Sequence, residues 1–180
     1  MCCIAAYRVS MTKQRLNKDK WIAAGFVALH RDGPDGLRAE PLARELNTTK
    51  GSFYWHFADV VAFQSALLDH WQADALKAIV QELETAGPAD ERLRRYGRLL
   101  YNDKTERALR AWATHDANAQ AALDAVDSER LVYIGSLMGQ LGLSNPAFTE
   151  AAYSSLIGGG FLNGESEGFD ALVDVVLALQ

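Results

Sequence analysis

Cysteine is nearly absent from the 180-residue chain: Cys2 and Cys3 are adjacent and no other follows. Sequence neighbours bridge poorly, and without a Cys-x-x-Cys pair or a Cys/His cluster neither a disulfide framework nor a metal site is expected. Proline is scarce as well. Four prolines leave long Ala/Leu-rich stretches uninterrupted, which favours an all-α fold. No window approaches the roughly 20 apolar residues of a membrane span. The opening MCCIAAYRVS contains Arg8 and lacks a charged start, so it is no signal peptide. Residues 1–15 read as a disordered extension, with Met1 and Met11 both open as the start. A phosphate-binding loop and metal-spaced ligand pairs are missing, so those enzyme classes lack their signatures and no cofactor is expected.

What remains is an ordinary globular composition, 49% apolar and 23% charged, of a cytosolic type. The length allows one or two compact domains without disulfides. The net charge of −5 conceals an asymmetry. Nine Lys/Arg face five Asp/Glu through residue 56, whereas the remainder has nine against eighteen. A basic end on an acidic body points to an anion-binding head and a second function elsewhere.

Along the chain, Asn17 can cap a helix to about His30, with Ile22, Phe26 and Leu29 on one face. RDGPDG at 31–36 stops it. A short helix fits Glu40 to Leu46, with Pro41 in the first turn and Leu42, Ala43 and Leu46 inward. Asn47 suits a left-handed turn, after which Thr48 or Thr49 can cap a third helix through about Tyr54. Three short helices, the last two joined by a tight turn, make a helix-turn-helix. Longer helices follow at about 60–83, 89–101, 105–115, 118–142, 146–163 and 169–180. Phe63, Leu67, Trp71 and Leu76 form the expected apolar stripe of the first of these.

The strip TTKGSFYWHF, residues 48–57, divides by helical spacing. Phe53 and Phe57 are i, i+4 and face a small core with Leu42 and Phe26. Thr49, Lys50, Ser52 and Tyr54 fall on the other side, and Gly51 lets backbone approach a surface. Short hydroxyls and one cation suit base edges and phosphates of a DNA groove, with Tyr54, Trp55 and His56 offering donors at the helix end. An aromatic mini-core with a solvated polar edge fits the same spacing.

PLARELNTTKGSFYWHF resembles the signature of the tetracycline-repressor (TetR) family: an Ile/Leu-Ala pair, a tight turn, then Ser/Thr-x-Gly-x-Leu/Phe-Tyr-x-His-Phe. The likeness covers about residues 16–75, and AAGFVALHRDGPDGL resembles the family's first helix and turn. Beyond it, only helix number and length are similar. The resemblance implies a homodimeric, all-helical transcriptional regulator, usually a repressor, with residues 16–60 binding an operator in double-stranded DNA. Residues 61–180 would dimerise and often hold a small organic inducer. Carried over, Thr48, Thr49, Lys50, Gly51 and Ser52 lie at the major groove, and Tyr54, Trp55 and His56 at phosphates. Two positions depart from the pattern: Arg38 stands where the family often has a capping Ser/Thr, and Val60 where it often has lysine. Arg38 could still bind phosphate. Asn47 replaces the usual turn glycine.

In the body, EAAYSSLIGGGFLNG is rich in small residues. Its glycines each weaken a helix by about 1 kcal/mol relative to alanine. A frayed helix end is one reason for them. The resemblance supplies another, a dimer interface through Ala151, Ser155, Gly158 and Gly159. Trp71, Tyr96, Trp112 and Tyr133, with His115, are the candidate ligand pocket, although aromatics at this spacing equally fit a core. Arg94, Arg95 and Arg98 read as a solvated face paired with acids. Two other functions are open. One is a regulator-like dimer that has lost DNA binding and binds only a ligand or partner. The remote one is a hydrolytic enzyme using His70 and Asp74 at i, i+4.

Overall fold

Asn17 has extended backbone, and its side chain accepts a hydrogen bond from the Lys20 N–H at 3.1 Å. That cap starts α1 (Lys18–Asp32). The structure, a computed structural model, describes residues 17–162 and 167–178; the expected N-terminal extension lies outside them. Gly33, at φ 68°, ends α1 and leads into one 3₁₀ turn, Gly33–Gly36. α2 (Ala39–Glu45) and α3 (Lys50–Tyr54) follow. Then come α4 (Val60–Glu84), α5 (Ala89–Tyr101), α6 (Lys104–Ala113), α7 (Ala117–Gln140), α8 (Pro146–Gly159) and α9 (Glu167–Ala178). Among the described residues every regular element is helical. None of these helices is long and apolar enough to cross a membrane.

Side-chain caps explain most of the starts. Asp59, Asp103, Asp116 and Asn145 each accept a backbone N–H at the head of the next helix. Such caps contribute about 1 kcal/mol each. α8 stops at Gly159, earlier than the spacing predicts, where Gly158 to Gly160 close its last turn.

Two apolar clusters hold the chain together. One joins α1, α2 and α3 to the first half of α4, to α6 and to the start of α7. The other joins the end of α4 to α5, the end of α7, α8 and α9. α7 is common to both. The stripe on α4 departs from expectation at Leu76, which is 36% exposed; Ile79 is the buried position there. Leu76 lies five residues beyond Trp71, which turns it off the face that Phe63, Leu67 and Trp71 share. Phe26 is only half-buried, because it turns away from Phe53 toward His70, its ring centroid 6.0 Å from the imidazole. Trp21 fills the place expected of it. Arg94, Arg95 and Arg98 do pair with acids, across helices rather than along one: Asp174, Glu82 and Asp170 at 2.6, 2.7 and 3.1 Å.

Close packing of α5 against α9 depends on Gly97, where a Cβ would sit 2.5 Å from the Phe169 ring. Helix propensity alone favours alanine by about 1 kcal/mol, but overpacking a closed core costs about 1–3 kcal/mol. Gly97→Ala is therefore expected to lower the denaturation midpoint, and adding Phe169→Leu to recover part of it. A more stable single variant would contradict this packing.

Candidate nucleic-acid interface

The turn between α2 and α3 rests on Asn47, the one described non-glycine residue with positive φ, at 50°. Asparagine tolerates this conformation better than other side-chain-bearing residues. The Thr48 N–H then donates to the Ala43 carbonyl at 2.9 Å, closing the turn. Thr49 follows with extended backbone, and its hydroxyl accepts the Ser52 N–H at 3.3 Å. Five residues cannot hold a helix alone. Phe53 fixes this one: fully buried, its ring lies 5.2–5.4 Å from those of Trp21, Phe57 and Phe63.

The remaining side chains of the strip stay outside. Thr49, Lys50 and Gly51 are exposed, and Thr48, Ser52 and His56 are half-buried. Tyr54 is 47% exposed with its ring edge-on to Phe53, and Trp55 is 89% exposed. A Cβ added to Gly51 would meet only the Thr49 hydroxyl, at an ordinary 3.7 Å. Nothing inside the chain requires glycine there.

Beside this strip lies a cleft of about 400 Å³ lined by Arg38, Arg44, Lys50, Tyr54, Pro41 and Val60, with Glu40. Arg38 is exposed ahead of α2 and does not cap it; its Nε donates to the Asp35 carbonyl at 2.7 Å. Among the described residues, Arg44 and Lys50 have no ion-pair partner. Arg31, by contrast, is committed to Asp32 and Glu45 at 2.8 and 3.3 Å. Hydrogen bonding to Arg31 holds the Asp32 carboxyl below its usual range. Arg44 was missed in the sequence, where the signal was its i+3 spacing from Pro41 on the outer side of α2. Val60, apolar where a lysine was anticipated, forms one wall.

In the body, the candidate pocket residues separate. Trp71 and Tyr96 line a cavity of about 280 Å³, together with Phe26, Asp74, Asp103 and Arg130. Tyr133 is buried behind it, edge-on to Tyr96 at 5.0 Å. Trp112 belongs to the core around the head, and His115 is exposed beyond the end of α6. Aromatic spacing could not distinguish cavity wall from core, and the charged wall was not foreseen.

Arg130 is fully buried in a cluster joining α6, α7 and α8. It donates to Glu106 Oε1 at 2.9 Å, while Arg110 reaches the same carboxylate at 2.6 Å and forks onto Asp127 at 2.6 and 3.0 Å. The Tyr153 hydroxyl donates to Asp127 at 2.6 Å. Burial works against a charged Arg130, but Glu106 and Tyr153 more than offset it and raise its pKa. Burial pushes the Tyr96 hydroxyl up to about 12, with the nearby Arg130 charge acting in the opposite direction.

On the outer side of α8, Ala151, Ser155 and Gly158 are exposed. Gly159 has a use within the chain: a Cβ there would come 3.1 Å from the Tyr101 ring, whose hydroxyl donates to the Gly159 carbonyl at 3.0 Å. His70 and Asp74 are a solvated surface pair at 3.4 Å.

No protein-family model matches the sequence, and no curated protein matches it. Solved structures do. A candidate transcriptional regulator from Saccharomonospora viridis, in complex with choline, superposes with a TM-score of 0.75 at 15% identity, over 89% of this chain and 95% of its own. E. coli NemR in its reduced form gives 0.73 at 17% identity, over 88% and 94%. A TetR-family transcriptional regulator from Streptomyces coelicolor gives 0.72 at 17%, over 89% and 88%. The fold is that of TetR-family regulators. The helix-turn-helix of that fold is here α2, the Asn47 turn and α3.

Removing Glu106 would strand Arg130 in the interior without its nearest anion. Glu106→Ala is expected to cost about 3–5 kcal/mol. The double change Glu106→Leu with Arg130→Met should restore much of it. Equilibrium unfolding in denaturant measures both, and an additive double variant would contradict the coupling.

Proposed function

We propose that this chain is a DNA-binding transcriptional regulator, a homodimeric repressor of the cytoplasm that leaves its operator when a small organic molecule binds. The observation that carries the reading is the outward face of α3: Trp55 is 89% exposed and Gly51 has no packing reason to be glycine. Both features make sense against a surface that comes from outside. Residues 16–60 then act as the head and residues 61–180 as the body. Thr49, Gly51 and Ser52 approach base edges, while Lys50, Arg38 and the added Arg44 meet phosphates along the basic cleft. Tyr54, Trp55 and His56 hold the sugar-phosphate backbone at the far end of the helix.

Two such heads read successive major grooves when they stand about 34–36 Å apart. The dimer forms through the exposed small-residue face of α8, with Ala151, Ser155 and Gly158, and the adjoining groove between α7 and α8, where Val132 is 69% exposed. The cavity reaches the head directly. Phe26 belongs to α1, and Thr105, also on the cavity wall, has its hydroxyl 2.9 Å from His30 Nε2 on the same helix. A ligand there loosens DNA only through its differential affinity for the two head spacings, typically about 1–3 kcal/mol or 5–150-fold. The choline-bound neighbour supports a small organic effector. Val60 and the net charge of −5 favour the rival reading, a dimer without DNA binding. No catalytic role is assigned to the solvated His70–Asp74 pair.

Binding of duplex DNA across a salt series separates these readings. Lys50→Ala should weaken binding and reduce the salt slope by about 1. Tyr54→Phe should also weaken it, and neither change should alter the dimer in sedimentation. Gly51→Ala should leave the fold as stable or stabilise it by up to about 1 kcal/mol, yet abolish tight binding. If all three variants bind as the parent does, the assignment of α3 fails.

A further inference from the structure

The cleft beside α3 holds one carboxylate among three cations. Glu40, in the first turn of α2, lines it together with Arg38, Arg44 and Lys50. Residues 17–60 contain six acids, and four of them are committed within the chain. Asp32 and Glu45 hold Arg31, Asp59 caps α4, and Asp19 accepts from the Asn17 amide at 3.1 Å. Asp35 is exposed and lies outside the cleft lining. Glu40 is exposed as well, and among the described residues its carboxylate has neither a hydrogen bond nor an ion pair. Arg44 stands one turn on, at the spacing where Glu and Arg ordinarily pair, yet no ion pair joins them.

A carboxylate in a cleft that receives phosphates weakens binding unless a donor meets it. The short reading helix leaves room for such a donor. The five residues of α3 rise about 7.5 Å, roughly two base-pair steps. Gly51 offers no side chain, and the hydroxyls of Thr49 and Ser52 suit more than one base edge. Discrimination between bases therefore needs a further side chain. An ionised carboxylate accepts and cannot donate. Among major-groove edges it fits only an exocyclic amino group, N4 of cytosine or N6 of adenine. Adenine also presents its N7 acceptor, which opposes a carboxylate, whereas cytosine presents the donor alone.

We propose that Glu40 determines specificity, its carboxylate accepting from the N4 amino group of one cytosine in each operator half-site. The start of α2 thereby supplies the discriminating contact, while α3 and the three cations fix the register. This rests on the head being a DNA reader, and it names a base that the head reads.

Parallel selection from random duplex DNA with the full-length parent, Glu40→Gln and Glu40→Ala tests it, followed by titration of the parent's operator. The parent should enrich one cytosine per half-site and lose about 5–150-fold in affinity when that C·G pair becomes T·A. Glu40→Gln should move the preference to adenine, which glutamine bonds through N6 and N7, and leave the other enriched positions unchanged. Glu40→Ala should bind the parent's operator more weakly and accept every base at that position. A first-turn acid also favours the helix dipole. If that were its whole role, both variants would have a lower thermal midpoint and the parent's sequence preference, which would overturn the proposal. Uniformly tighter binding of Glu40→Ala to all sequences, the mark of an acid that only repels phosphates, would overturn it too. Unchanged preferences in the variants of an enriching parent remove the role of Glu40 alone. A parent that enriches no sequence removes the DNA-reading head with it.

Discussion

Phe53 is the residue on which the head depends. Its ring meets Trp21 of α1, Phe57 beyond α3 and Phe63 of α4 at 5.2–5.4 Å between centroids. The two edge-on pairs, with Trp21 and Phe63, contribute roughly 0.5–1.5 kcal/mol each beyond burial. They hold in place a five-residue helix that has almost no stability of its own. Because Phe53 is anchored inward, its neighbours in sequence are forced outward. Tyr54 and Trp55 stand in solvent as a result, and Gly51 presents bare backbone on the same surface.

The anchor also ties α3 to the body. α4 carries Phe63 in the aromatic group and Trp71 on the cavity wall, two turns further on. α1 carries Trp21 against α3 and Phe26 against the cavity. The aromatic group and the cavity wall thus share two helices, α1 and α4. Behind the cavity, the Arg130–Glu106–Arg110–Asp127 cluster gives a fixed support. Arg130 and Glu106 are nearly dry, and moving one without the other is costly.

Much of the head was legible because its signals are local. Asn17, Asn47 and Thr49 act within four residues of their own positions, and the structure shows each in the role its chemistry suggests. Phe53 and Phe57 are buried as their spacing indicates. The helix boundaries in the body follow caps and turn residues to within a few positions. What the sequence concealed depends on tertiary packing. Periodicity on α1 selects Ile22, Phe26 and Leu29, yet Trp21 is the centre of the aromatic group and Phe26 looks into the cavity. Arg130 and Glu106 are 24 residues apart and resemble any solvated charges until the chain folds. Trp112 and Tyr133 share their pattern with Trp71 and Tyr96; all four are core residues, and only packing decides that the last two also border the cavity. The proposed DNA contacts rest on an exposed surface, and exposure is a property of the whole fold.

Selection of bound sequences from random duplex DNA with the purified chain, at two salt concentrations, bears most directly on the central claim. Enrichment of a near-palindrome whose half-sites stand about one helical turn apart, with affinity falling steeply as salt rises, is the predicted result. No enrichment at either salt concentration would contradict a DNA-reading head and leave α3 without its partner.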